Sequence, residues 1–151
     1  YNLRNNLNFD GRLGALMKVR DLMTYPILTV GIDTTVFDAI QMMVRENKGS
    51  VLVVEGGLLK HVVGIVTTCG MFKHVFAKGI DPRNIMIWEI MTPAPLVTIG
   101  PNASTKKAAE IMLEHNIRRL PVVECGALVG IITSKDLLRC IGNSEADDKS
   151  A

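Results

Sequence analysis

The sequence predicts an α/β (α+β) fold made of two β-α-β-β-α repeats packed sheet to sheet with approximate twofold symmetry. Three observations predict it. The 151-residue chain is written twice: residues 23–30 read MTYPILTV and residues 91–99 read MTPAPLVTI. Each copy then carries one stretch with apolar residues at helical spacing and two short apolar runs parted by a glycine-containing turn. A single copy of about 60 residues buries too little surface to stand comfortably alone, so two must combine.

The elements follow in the same order in both copies. A short strand is expected near residues 28–30 and again near 97–99. Asp33-Thr34-Thr35 and Asn102-Ala103-Ser104 supply oxygens that can cap free amides at a helix start. Behind them Val36, Ala39, Ile40, Met43 and Val44 recur at helical spacing, as do Ala108, Ile111, Met112 and His115. Asn47 matches Asn116. The runs 51–54 and 120–123, then 62–66 and 128–132, read as hairpins, the first with a longer loop. Thr67 and Thr133 open second helices reaching to about residues 78 and 141. The division is therefore 1–18 as an N-terminal extension with a short helix near 13–18, 19–78 as repeat 1, 79–86 as a linker, 87–141 as repeat 2 and 142–151 as a polar tail.

Composition bounds the function. The chain is 48% hydrophobic and 21% charged, which suits a packed core rather than disorder. Seventeen basic against fifteen acidic residues leave +2, too little for nucleic-acid binding through bulk charge. No apolar run approaches the roughly 18 residues that would span a bilayer, and the start has no basic-then-apolar leader pattern, so the expected setting is cytoplasmic without membrane attachment. Position 1 is Tyr rather than Met, as in a piece of a longer protein. Cys69, Cys125 and Cys140 are odd in number and lack C-x-x-C spacing, so they read as buried small apolar residues in a reducing compartment. No metal cluster is expected, and with no paired carboxylates or nucleophile elbow no catalytic residue is assigned. The eight methionines read as core filling and Trp88 as half-buried packing. Lys106-Lys107 reads as a solvated helix face.

The order M-T-x-P-x-x-T-V, a capped helix, L-P-V-V-E and G-I-I-T-S-K-D-L resembles a tandem pair of cystathionine β-synthase (CBS) domains, a Bateman module, over about residues 19–141. The resemblance implies a regulatory fold that takes adenosine-containing ligands in clefts between the two repeats. It also implies frequent assembly of modules into homodimers and a separate regulated protein.

Thr133-Ser134-Lys135-Asp136 has two readings that hold together. T-x-x-D is a capping box at a helix start. The same helix start offers amides and a positive dipole end to phosphate, and the resemblance makes Asp136 a ribose ligand. Arg118 and Arg119 read either as a solvated sheet edge or as phosphate-binding guanidinium forks. Lys48 and Gly49, at the matching place in the first copy, are assigned with them to this main cleft, and Lys135 adds charge or is solvated. By resemblance Thr24, Ile27 and Leu28 wall the adenine of this main cleft. Thr67, Thr92, Leu96 and Val97 form a second cleft, weaker because Gly70 stands where Asp136 stands in the other copy.

The function these readings support is a sensor of AMP, ADP, ATP or a related adenosyl compound, with no obligatory cofactor. Two alternatives stay open: a structural dimerisation module with degenerate clefts, or a binder of S-adenosylmethionine or nucleic acid. The basic residues lean towards a phosphorylated ligand.

Overall fold

The computed structural model describes residues 17–57 and 61–140. The expected N-terminal helix near 13–18 lies for the most part outside them; Lys18, which is described, makes an extended bridge to Ser104. The polar tail lies outside the described residues as well.

In order, the elements are α1 (Val19–Leu22), β1 (Thr29–Gly31), α2 (Val36–Arg45), β2 (Ser50–Glu55), β3 (His61–Thr67), α3 (Thr68–His74), β4 (Thr92–Pro93), α4 (Thr105–Glu114), β5 (Arg119–Glu124) and β6 (Ala127–Thr133). A last helix is described over residues 134–140. The expected caps form: Thr35 Oγ1 accepts from the Asp38 amide at 3.1 Å and Ser104 Oγ from the Lys107 amide at 3.0 Å. Asn47 and Asn116, at φ 50° and 51°, end α2 and α4 in the left-handed region that Asn tolerates better than most residues. The α3 helix stops at His74, short of residue 78; a single 3-10 turn, Phe76–Lys78, and left-handed Gly79 follow.

The described chain divides into two compact units that cut across the sequence repeats. Unit 2 is Ile27–Leu96; unit 1 joins the described residues up to Pro26 to those from Val97 onwards. In unit 2 the sheet order is β1-β2-β3-β4, with β1 parallel to β2 and the other neighbours antiparallel. In unit 1, β5 and β6 form the central hairpin. The flanking positions are single bridges, Ile99 to Val122 in parallel and Thr24 to Ile131 antiparallel. Each hairpin is therefore completed by the M-T segment that leads into the other sequence repeat.

Residues 79–86, expected to be a linker, are built into unit 2. Ile80 and Ile85 pack on its core, the Val36 amide donates to Ile85 O at 2.9 Å, and fully buried Ile87 follows. Ile80 and Ile85, with Ile87 just beyond, drive the stretch onto the core rather than into solvent. Val30, Val36, Ala39, Met43, Val51, Val53, Val66, Met71, Val75 and Ile87 form the core of unit 2. Val19, Ile99, Ala108, Met112, Leu120, Val122 and Ile132 form that of unit 1.

Four side chains sit differently from expectation. Trp88 is exposed, because Ile87 takes the inward position of its short turn. Cys69 and Cys125 are exposed and Cys140 is intermediate. Cys125 occupies the two-residue hairpin turn with Gly126, at φ 50° and 78°, where side chains project into solvent. Cys69 lies in the outward first turn of α3.

Candidate functional site

The site builds up from the strand-to-helix junction of unit 1. Strand β6 ends at Thr133 and the chain turns directly into the last helix. Asp136 Oδ2 accepts from the Thr133 amide at 2.9 Å and from Thr133 Oγ1 at 3.0 Å, while the Asp136 amide reaches back to Thr133 Oγ1 at 3.3 Å. This is a reciprocal capping box with a carboxylate. Asp136 is only 5% exposed, and its other oxygen lies 3.5 Å from the exposed guanidinium of Arg139.

Arg119 stands directly opposite Thr133 in the antiparallel register of β5 and β6, and the Ser134 amide donates to Arg118 O at 2.9 Å. Arg118 is exposed and Arg119 half-buried. Burial first, then the neighbouring charge of Arg118, pushes the Arg119 guanidinium below its ordinary pKa. No carboxylate among the described residues pairs with Arg119. Lys135 is exposed in the first turn of the helix.

Thr24 enters this unit through the other edge of β6. Its amide donates to Ile131 O at 2.8 Å and its carbonyl accepts from the Ile131 amide at 3.2 Å. Its backbone is thereby used up, and its hydroxyl is what it can offer. Tyr25, which sequence reasoning did not single out, follows it with 73% of its surface exposed. The signal available was an aromatic before proline in a segment otherwise aliphatic. Thr24, Arg118, Arg119, Thr133, Lys135 and Asp136 thus belong to one unit.

The other expected residues belong to unit 2, or divide between the two. Lys48 and Gly49 lie beside Thr67, not beside Asp136: the Thr68 amide and Oγ1 donate to Gly49 O at 3.0 and 3.1 Å. Thr92 pairs with Ile65 of the same hairpin. Leu28 packs on the core of unit 2 and its carbonyl accepts from the Leu52 amide, while Ile27 begins that unit. Leu96 ends unit 2, and Val97 packs on the core of unit 1. At the junction equivalent to Thr133–Asp136, the Gly70 amide donates to Thr67 Oγ1 at 3.1 Å, with no carboxylate to answer it.

No group of three or more His, Cys, Asp or Glu residues capable of holding a metal occurs among the described residues. Nor is any helix among them long and apolar enough to cross a membrane.

A hairpin flanked by two helices, used twice, with a Thr-capped helix start at the end of each, defines a tandem repeat module with one such junction per repeat. The chain belongs to the CBS domain family, whose model matches it twice, over residues 19–75 and 87–143. It is 36% identical to the CBS domain-containing protein YhcV of Bacillus subtilis over 81% of this chain and 84% of that one. It is 26% identical to the mitochondrial CBS domain-containing protein CBSX3 of Arabidopsis thaliana, over 77% of this chain but 57% of the relative's length. The structure is similar to that of the hexameric CBS-CP12 protein from bloom-forming cyanobacteria. The TM-score is 0.74 and the identity 29%, covering 82% of this chain and 70% of that one.

Proposed function

We propose that this chain is a regulatory, non-catalytic sensor, cytoplasmic and self-associating, that binds an adenosine nucleotide (AMP, ADP or ATP) at the start of the last helix of unit 1. The observation that carries the reading is Arg119, a half-buried cation across from Thr133 with no acidic partner among the described residues. An unpaired charge withdrawn from water is costly, and an anionic ligand would offset that cost. Guanidinium forks suit phosphate oxygens, and Arg118 and Lys135 add positive charge nearby. The Asp136 oxygen that meets only exposed Arg139 is the acceptor for ribose hydroxyls. Tyr25 presents an aromatic face suited to a base. In unit 2 the junction without a carboxylate, with Thr67, Lys48, Gly49 and Thr92, is the weaker site. Binding regulates another protein only if the ligand has different affinities for two arrangements of the module. The hexameric assembly of one structural relative supports self-association of this chain too.

Calorimetric titration of AMP, ADP, ATP and S-adenosylmethionine into the whole chain tests this. A phosphorylated ligand binds, and Arg119→Met and Asp136→Asn each weaken it about tenfold or more, the worth of one charge-assisted hydrogen bond. Absence of heat and of any rise in melting temperature with all four ligands overturns the reading. That outcome favours the alternative of a structural assembly module, which the burial of Asp136 in its own capping box also supports.

A further inference from the structure

The segment by which the chain enters unit 1, residues 17–24, supports the candidate site from both of its ends. At one end the Thr24 amide and carbonyl pair with Ile131, just ahead of Thr133 in β6. At the other, Cys140 Sγ donates to Met17 Sδ at 3.0 Å, across 123 residues of sequence. Cys140 stands one helical turn beyond Asp136, on the same face of the last helix. That helix leans on few inward contacts. Lys135, Leu138 and Arg139 are exposed, while Asp136 is buried in its capping box, Leu137 packs on the core of unit 1 and Cys140 meets Met17. A helix in a folded chain owes most of its stability to such packing, so Met17 helps to hold the element that carries Asp136.

Between its two ends the segment is seated on a different part of the unit. The Val19 amide donates to Ala103 O at 2.9 Å and the Arg20 amide to Pro101 O at 3.0 Å, while Met17 O accepts from the Thr105 amide at 3.1 Å. Val19 is fully buried, and the Arg20–Glu124 pair at 3.6 Å is exposed on both sides and of little worth. Residues 101–105 carry no part of the candidate site. The segment thus has two arrangements open to it, seated as here or frayed from the unit, and local opening of this kind costs less than global unfolding. Fraying parts Met17 from Cys140 and Thr24 from Ile131, which loosens both supports of the Thr133–Asp136 junction together.

We infer that residues 17–24 are a conformational relay: a nucleotide held at Thr133 and Asp136 favours the seated segment, and seating favours the nucleotide. Two events that bias one equilibrium are coupled reciprocally. Occupancy of the site is thereby felt at Met17, where the chain enters the unit. Met17 is a positioning residue here, acting on the ligand through Cys140 and the last helix. The inference rests on the ligand site proposed above.

Calorimetry with AMP, ADP and ATP on the whole chain, paired with amide hydrogen exchange, tests the relay. Met17→Ala removes the sulfur contact and weakens whichever nucleotide binds about fivefold, at a temperature where circular dichroism shows the variant folded. Met17→Leu, of similar volume, recovers most of that affinity. In the unaltered chain the bound nucleotide slows exchange of the Val19 and Arg20 amides several-fold. Their acceptors, Ala103 and Pro101, lie outside the site, so direct contact with the nucleotide does not account for that protection. A merely structural role for Met17 lowers the melting temperature of Met17→Ala and leaves its affinity unchanged; that result overturns the inference, as does unaltered exchange at Val19 and Arg20. Where Met17→Ala does not fold, exchange in the unaltered chain decides alone. Failure of all three nucleotides to bind overturns the ligand reading and the relay with it; binding that Met17→Ala leaves intact overturns the relay and spares the ligand site.

Discussion

Met23 lies across Gly130: a Cβ placed on Gly130 would stand 2.6 Å from Met23 Sδ and 3.3 Å from Met23 Cβ. The same relationship holds in unit 2, where a Cβ on Gly64 would stand 2.5 Å from Met91 Sδ and 2.9 Å from Thr92 O. These glycines let the M-T segment lie against the hairpin closely enough to pair with it.

The two glycines therefore respond unequally to a methyl group. At Gly130 the obstruction is Met23's own side chain, whose sulfur end can swing aside. At Gly64 it includes a backbone carbonyl held in the sheet. Gly64→Ala is expected to cost about 2–3 kcal/mol and Gly130→Ala nearer 1 kcal/mol, within the range for overpacking. Urea unfolding of both variants checks the order, and equal losses would refute the distinction.

Gly70 is open to improvement. A Cβ there would meet only Thr67 Oγ1 at 3.5 Å, an ordinary contact, and its φ is not in the left-handed region. Gly70→Ala should stabilise by about 0.5–1 kcal/mol, the usual helix gain over glycine. Gly70→Asp should do better, since a carboxylate there can rebuild the capping box of Thr133 and Asp136. Thermal melts of the two variants decide it; destabilisation by Gly70→Asp would show that unit 2 rejects the charge.

Arg119 carries a cost in the absence of ligand. Its depressed pKa means the fold disfavours its charged form; far below that pKa, as at pH 7, the full penalty is present. Arg119→Met keeps the bulk and removes the charge. It should leave the ligand-free chain as stable or more stable by roughly 1 kcal/mol, while abolishing most of the melting-temperature rise caused by nucleotide. A clear loss of stability without ligand would show that Arg119 is held by contacts that favour its charge.

Ile87 and Val19 are fully buried residues lying outside the two hairpins they stabilise. Truncating either to Ala should cost about 2–4 kcal/mol. Hydrogen exchange would then rise in β2 and β3 for Ile87→Ala, and in β5 and β6 for Val19→Ala. The opposite assignment would contradict the division of the chain into its two units.

Much of the fold was readable because it depends on local physics. Thr35 and Ser104 cap, and short apolar runs pair across turns, all within a few residues of one another. The T-x-x-D motif likewise specifies its capping box, since donor and acceptor lie three residues apart. The packing of residues 79–86 onto unit 2 was not legible, because a proline and charged residues at 81–84 look like solvent-facing chain, while Ile80, Ile85 and Ile87 are spaced too irregularly to signal burial.

By itself the sequence determined that this is a CBS pair, how each repeat is built, and that the junctions at Thr67 and Thr133 differ by one carboxylate. Only the tertiary structure decided that Thr24 pairs with Ile131 and Thr92 with Ile65, so that each hairpin takes the lead-in segment of the other repeat. Those partners meet through backbone amides and carbonyls, which every residue carries, so side-chain identity barely records the choice. Tertiary structure also left Arg119 half-buried without an acid and placed Lys48 and Gly49 with Thr67. Burial and neighbourhood come from the packing of distant segments, and no local pattern encodes them.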